Sequence, residues 1–152
     1  MTSNPFFEPS ALPYELPPFA EIGTEHYLPA FERGMAEQLA EVAAISSSGE
    51  EPSFANTIAA LERSGAVLIR VSNVFFNITG SDSSETTDAI EAEVSPKLAA
   101  HRDVIYLDTQ LFARVEALYG RGAELGLDPI KFRAAATEDQ SSLGSVTPEV
   151  RS

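Results

Sequence analysis

Four stretches of the chain repeat apolar residues at spacings of three and four, and this periodicity constrains the fold more than any other feature. Such spacing places apolar side chains on one face of an α-helix. The stretches begin near Thr24, Ser53, Glu85 and Asp108. Alternation typical of a strand is not convincing anywhere, although β-branched and aromatic residues keep a strand as the alternative over 71–78. The sequence therefore predicts an all-α fold, an antiparallel bundle-like domain of helices joined by short loops.

Polar residues indicate where the predicted helices begin. Thr24, Ser53 and Asp108 each carry a side-chain oxygen that can accept a hydrogen bond from the first helical turn. The third helix is predicted over 85–100. We predict that the second helix continues through Gly65, because its apolar phase survives there at a cost of about 1 kcal/mol relative to alanine.

The two ends of the chain differ in composition from the helical part. Residues 1–23 are rich in proline and aromatic residues, which favours an extended N-terminal arm whose rings dock on the body; a mobile tail is the alternative. Residues 24–130 carry the helical pattern and form the predicted domain. Residues 131–152 contain few apolar side chains, so a disordered C-terminal tail is predicted there.

Composition excludes several classes of protein. The 152 residues include 10 Lys and Arg against 23 Asp and Glu, a formal net charge of −13, so neither nucleic acid nor a membrane is expected as a partner. No apolar run approaches the roughly 20 residues of a membrane span, and the N-terminus does not resemble a signal peptide. The absence of cysteine excludes disulfides, thiolate catalysis and Cys-ligated zinc. We therefore expect a cytoplasmic protein.

The residues themselves form no recognisable catalytic constellation. His26 and His101 do not lie in a His-Glu-x-x-His pair, which would place two imidazoles on one helix face beside a general base. No Gly-x-Ser-x-Gly nucleophile elbow is present. The acidic helix face over 85–93 is predicted to be a solvated surface, with docking of a basic partner as the alternative. We predict no catalytic, cofactor-binding or metal-ligating residue.

A series of short strings nevertheless follows a distinctive order along the chain. It includes Asn4-Pro5-Phe6-Phe7, Leu12-Pro13-Tyr14, Pro17-Pro18-Phe19, Pro96-Lys97-Leu98-Ala99-Ala100-His101, Ile105-Tyr106-Leu107 and Leu111-Phe112-Ala113-Arg114-Val115. Their order and spacing resemble the N-terminal region of the thimet oligopeptidase family of zinc metallopeptidases. Within that family, the bacterial peptidyl-dipeptidases, also called dipeptidyl carboxypeptidases, are the most similar branch. The resemblance extends over about 4–127.

The resemblance implies an all-helical enzyme that hydrolyses short peptides and, in this branch, releases C-terminal dipeptides. In the family, zinc is held by the two histidines of a His-Glu-x-x-His helix and by a later glutamate; no position here corresponds to them. The chain is thus interpreted as an N-terminal fragment, inactive alone. Its expected partners are the missing catalytic portion and, in the full-length zinc enzyme, an oligopeptide substrate. The alternative is a stand-alone acidic helical protein-interaction domain.

Overall fold

The computed structural model describes residues 3–121, and helices dominate this part of the chain. They are α1 (Tyr27–Ser46), α2 (Ala59–Arg63), α3 (Ala66–Ser81), α4 (Glu85–Tyr106) and α5 (Thr109–Gly120), with a π-helical turn (Phe54–Ile58) leading into α2. Residues 3–121 contain no β-strand, and the predicted all-α class is confirmed. The predicted tail, 131–152, lies outside the described residues. No helix within the described residues is long and apolar enough to cross a bilayer.

The chain divides into two compact units, and the boundary lies inside α5. The first unit ends at Val115 and the second begins at Glu116. The described part of the second unit consists of the end of α5 and the turn after it. The hydrophobic core of the first unit lies between α1, α3 and α4. The domain boundaries predicted at 23/24 and 130/131 stay predictions.

Aromatic side chains fill the centre of this core. Phe31 of α1 and Phe75 of α3 are fully buried, and their ring planes stand at 90° with centroids 5.4 Å apart. Tyr27 packs edge-on against Phe75 at 4.9 Å. Edge-to-face contacts of this kind add about 0.5–1.5 kcal/mol to the free energy gained by burying the rings. Val94 brings α4 into the same cluster.

A glycine allows α1 and α3 to pack very closely. A Cβ atom added at Gly34 would lie 2.7 Å from the backbone nitrogen of Leu68 and 2.8 Å from its Cα. Any larger residue would therefore push the two helices apart. The close contact compensates for the cost of about 1 kcal/mol that glycine imposes inside a helix.

Of the three residues predicted to cap helices, two are confirmed and one is wrong. Ser53 Oγ accepts a hydrogen bond from the backbone of Asn56, and Asp108 Oδ1 accepts one from the backbone of Leu111. The bond from Leu111 is the main reason that the pKa of Asp108 is lowered. Thr24, by contrast, lies in a 3-10 turn (Thr24–His26), and α1 begins after it without a side-chain cap.

The second predicted helix is divided at Gly65, so the prediction of one continuous helix is wrong. Gly65 adopts a left-handed conformation with φ of +74°, which ends α2 and precedes α3. Glycine enters this region at little steric cost. Glu41 Oε2 accepts the Gly65 N–H at 2.7 Å, and the bend is thereby tied to α1. The strand alternative over 71–78 is also wrong, because these residues lie within α3.

The third predicted helix exists but is longer than expected. It is α4, which begins at Glu85 as predicted and continues past residue 100 to Tyr106. Ser84 caps it, with its Oγ accepting the Thr87 N–H at 3.2 Å. The apolar face predicted on this helix is present, since Ile90 and Val94 are buried.

Candidate functional site

The two histidines lie in different environments and do not meet. His26 Nδ1 accepts the N–H of Gly23 at 2.8 Å, just before α1. His101 lies on α4 and is only 8% exposed. Among residues 3–121, no three side chains of His, Asp or Glu are grouped so that they could hold a metal ion.

His101 belongs to a polar junction that joins α4 to α1 and to the bend at residue 65. Its Nε2 and the Oε1 of Gln38 are 2.7 Å apart, and Gln38 Nε2 lies 3.4 Å from Ser64 Oγ. Because the amide oxygen of Gln38 can only accept, the imidazole donates from Nε2. Its Nδ1 is buried and has no hydrogen-bond partner among the described residues. Burial lowers the pKa of His101, so the neutral form is favoured.

The burial of His101 and Ser64 limits the chemistry that this junction can perform. A neutral imidazole can act as a base, but the Ser64 hydroxyl donates to the carbonyl oxygen of Leu61 at 2.7 Å rather than to His101. Ser64 itself is only 3% exposed. The junction is therefore best explained as a bridge that positions α4 and the bend at residue 65 against α1.

Arg114 forms a second buried polar contact, between α5 and the segment before α2. Its Nη1 donates to the carbonyl oxygens of Ser48 and Glu50 at 2.9 and 3.0 Å, and its Nη2 donates to Asn56 Oδ1 at 3.1 Å. These three bonds satisfy the guanidinium in part, because its Nε is buried and has no hydrogen-bond partner among the described residues. Arg114 thus fixes the connection that follows α1.

The burial of Arg114 could have been predicted from its position in the sequence, although the apolar pattern around it made it inconspicuous. Arg114 lies between Leu111 and Leu118 at spacings of three and four, so it interrupts the apolar face of α5. A charged residue at such a position must be buried with partners. In the sequence Arg114 stands out only within a string shared with the family, and its buried role was not predicted.

One part of the N-terminal arm is fixed to the helices. This part, residues 4–7, is called the anchored segment. Phe6 is only 3% exposed and packs 5.7 Å from the Tyr27 ring, while Asn4 Nδ2 donates to the carbonyl oxygen of His26 at 2.8 Å. Arg70 of α3 donates through Nε to the carbonyl oxygen of Phe6 at 3.0 Å and through Nη2 to that of Phe7 at 3.2 Å.

The following part of the arm, residues 10–19, has a different environment and is called the arm loop. It forms a 3-10 turn (Pro13–Glu15), and a second turn (Phe19–Glu21) begins at its end. Tyr14 is 96% exposed and Phe19 56% exposed. Docking was predicted for the rings of the whole arm. It is confirmed for Phe6 and for Phe7, which packs partly buried against the core, and it is wrong for Tyr14 and Phe19.

The acidic face of α4 carries an ion-pair contact with α1. Lys97 Nζ lies 2.8 Å from a carboxylate oxygen of Glu93 and 3.3 Å from one of Glu32. Hydrogen bonds to Glu93 and then to Glu32 raise the pKa of Lys97. Pairs this exposed contribute little to stability. The face as a whole remains a solvated surface without a grouping that indicates a ligand.

Two curated proteins are similar to this chain over most of its length. The dipeptidyl carboxypeptidase of Escherichia coli K12 is 44% identical over 132 residues, which is 87% of this chain and 19% of that protein. The dipeptidyl carboxypeptidase of Salmonella typhimurium LT2 is 41% identical over 133 residues, which is 88% of this chain and 20% of that protein. No protein-family model matches the chain.

The match is extensive for this chain and partial for its relatives. The chain spans about a fifth of the length of these two proteins. The alternative of a stand-alone interaction domain receives no support from either of them. Identity above 40% over nearly nine tenths of the chain confirms the resemblance seen in the sequence strings, and the chain is related to the bacterial dipeptidyl carboxypeptidases.

Proposed function

We propose that this chain forms the N-terminal helical part of a peptidase that releases dipeptides from the C-termini of oligopeptides. The observation that carries the proposal is the 44% identity with the E. coli dipeptidyl carboxypeptidase over 132 residues. The described residues supply a helical body held together at the His101 and Arg114 contacts, which suits a supporting role. Under this proposal the chain alone does not hydrolyse peptides.

The catalytic chemistry is assigned to the remaining polypeptide of such an enzyme. The resemblance implies zinc as the cofactor of the full-length protein, but the side chains described between residues 3 and 121 do not form a group that fits a zinc site. No reaction step is therefore assigned to His26 or His101. The catalytic portion and an oligopeptide substrate are the proposed partners, and a cytoplasmic location is part of the same proposal.

A chimera tests this function directly. The segment of the E. coli protein that aligns with this chain would be replaced by the chain itself, and release of C-terminal dipeptides would be measured with a short peptide substrate. We expect the chimera to release dipeptides and a metal chelator to stop the reaction. The 152-residue chain, assayed beside it, should release none.

Two substitutions serve as matched controls within the chimera. Phe75→Ala removes a fully buried ring and should abolish activity by unfolding the helical part. Phe112→Ala truncates a ring that is 64% exposed, so it should leave the helical part folded. An inactive chimera that nevertheless folds would contradict the proposed function. So would chelator-sensitive dipeptide release by the 152-residue chain alone.

A further inference from the structure

We propose that the arm loop, residues 10–19, is a docking element for the remaining polypeptide of the peptidase. The loop binds an apolar groove that is bordered by basic side chains. This groove lies on the part of the peptidase outside the matched fifth of the relatives. This inference rests on the proposed function and deepens it by naming the partner of one surface.

The first observation is the concentration of exposed apolar side chains in the arm loop. Leu12 is 46% exposed, Leu16 is 54% exposed, and Phe19 and Tyr14 are exposed further. Single exposed apolar residues are normal on a protein surface. Four of them within eight residues form a patch, and exposed patches of this kind mark interaction sites.

The second observation is that the arm loop is ordered at an energetic cost. Tyr14 and Glu15 both have positive φ, of 60° and 53°, which is unfavourable for residues that carry a Cβ. Ser10 holds the conformation, since its Oγ donates to the carbonyl oxygen of Leu16 at 2.6 Å and accepts the N–H of Leu12 at 3.2 Å. The strain presents the Tyr14 ring to solvent, where the described residues give it no compensating contact.

The third observation is a surface cavity beside the arm loop. It has a volume of about 270 Å³. Its lining includes Asn4, Glu8, Pro9, Leu12, Pro18 and Glu21. The surface thus offers both a projecting ring and an adjacent recess, and such a pair can interdigitate with a partner.

The charge of this region indicates the chemistry of the occupant. Residues 3–26 contain four acidic side chains, Glu8, Glu15, Glu21 and Glu25, and no Lys or Arg. A second copy of a chain with net charge −13 would bring two acidic regions together, which is unfavourable. About four fifths of the length of each relative lies outside the matched region, and that length can supply a basic-rimmed apolar surface.

The test compares thermal unfolding of the 152-residue chain with that of the chimera described above. Replacing Tyr14 and Leu16 together by serine should leave the melting temperature of the chain unchanged. The same double variant should lower that of the chimera measurably, by about 1 °C or more, because the shift caused by a given loss of contacts becomes smaller as a protein becomes larger. Phe6→Ala is the matched control and should lower the melting temperature of both proteins, because this ring is buried in the chain itself.

Three other kinds of result overturn the docking proposal. An equal shift in both proteins, or none in either, means that the arm loop contacts nothing outside the chain. If sedimentation shows that the chain dimerises and that the double variant prevents it, the occupant is a second copy. A chimera without cooperative unfolding also counts against docking. Loss of dipeptide release alone, with the melting shift retained, contradicts the proposed function while docking stands.

Discussion

The anchored segment and the arm loop have the same kind of sequence and opposite structural environments. Both combine proline with aromatic or aliphatic residues. Phe6 lies in the core, and Arg70 donates hydrogen bonds to the carbonyl oxygens of Phe6 and Phe7. Tyr14, by contrast, is 96% exposed on a strained backbone. The difference shows that composition makes an arm stiff and apolar, but only partners on the helices determine which part of it docks.

The largest expected effect comes from removing one ring from each part of the arm. Phe6→Ala should lower the free energy of unfolding by about 3–5 kcal/mol, because it leaves a cavity in the core. Phe19→Ala should change it by no more than about 0.5 kcal/mol, since that ring is more than half exposed in the chain. Urea denaturation measures both. Similar losses in the two variants would remove the distinction between the two parts.

A smaller effect is expected from Arg70. Arg70→Met removes two charged hydrogen bonds to the anchored segment and should cost about 1.5–3 kcal/mol in unfolding free energy. Limited proteolysis should then cleave the variant within residues 4–7, whereas the unsubstituted chain should resist cleavage there. Arg102→Met is the control, because Arg102 is exposed on α4. Protection that survives in Arg70→Met would show that burial of Phe6 suffices.

Acidification offers a test of whether the anchored segment belongs to the core. The folded-state pKa of His101 lies below 6.5, so the unfolded chain binds the proton more readily. Stability is therefore fully present above pH 6.5 and should fall as the pH decreases from there through the folded-state pKa. The hydrogen-exchange protection factor of the Phe6 amide should fall along with those of the core, whereas protection in the arm loop should not follow the pH dependence of the core.

The control for this experiment is a variant that cannot titrate in the same range. His101→Gln should remove the part of the pH dependence that arises from this junction, even if it lowers stability at pH 7. A fall of the same size in His101→Gln would assign the acid sensitivity to other groups.

The smallest expected effect has the opposite sign. Left-handed backbone costs a residue with a Cβ about 1–2 kcal/mol, and glycine avoids this cost. Glycine also loses more conformational entropy on folding, which offsets about 0.5–1 kcal/mol of the gain. Tyr14→Gly should therefore stabilise the 152-residue chain slightly, by less than about 1 kcal/mol. Equilibrium denaturation with Ser10→Gly as a comparison would measure it. A clear loss of stability would mean that the Tyr14 ring makes contacts within the chain.

Local chemistry allowed parts of the fold to be predicted from the sequence. Ser53 and Asp108 precede stretches with apolar periodicity. A side-chain oxygen at that position can accept a hydrogen bond from the first turn of the helix, which makes it a favoured cap. Thr24 carries the same signal, but the backbone there forms a 3-10 turn first. Gly65 shows the opposite case, in which a continuous apolar pattern concealed a break that depends on partners from α1.

The contacts at the polar junction and the arm depend on tertiary placement. Gln38 and His101 are 63 residues apart, and no local pattern relates them. Arg70 reaches the anchored segment across 64 positions of sequence. Pairings of this range are determined by how the helices pack. The same holds for the choice between Phe6 and Tyr14 as the buried ring.

The glycine contact between α1 and α3 has a mechanical consequence. A Cβ at Gly34 would overlap the backbone of Leu68, and main-chain atoms cannot move aside by changing rotamer. Relief of the overlap would therefore require a shift of α1 or α3 itself. The Phe31 and Phe75 rings pack across the same two helices, so such a shift would also disturb the centre of the core.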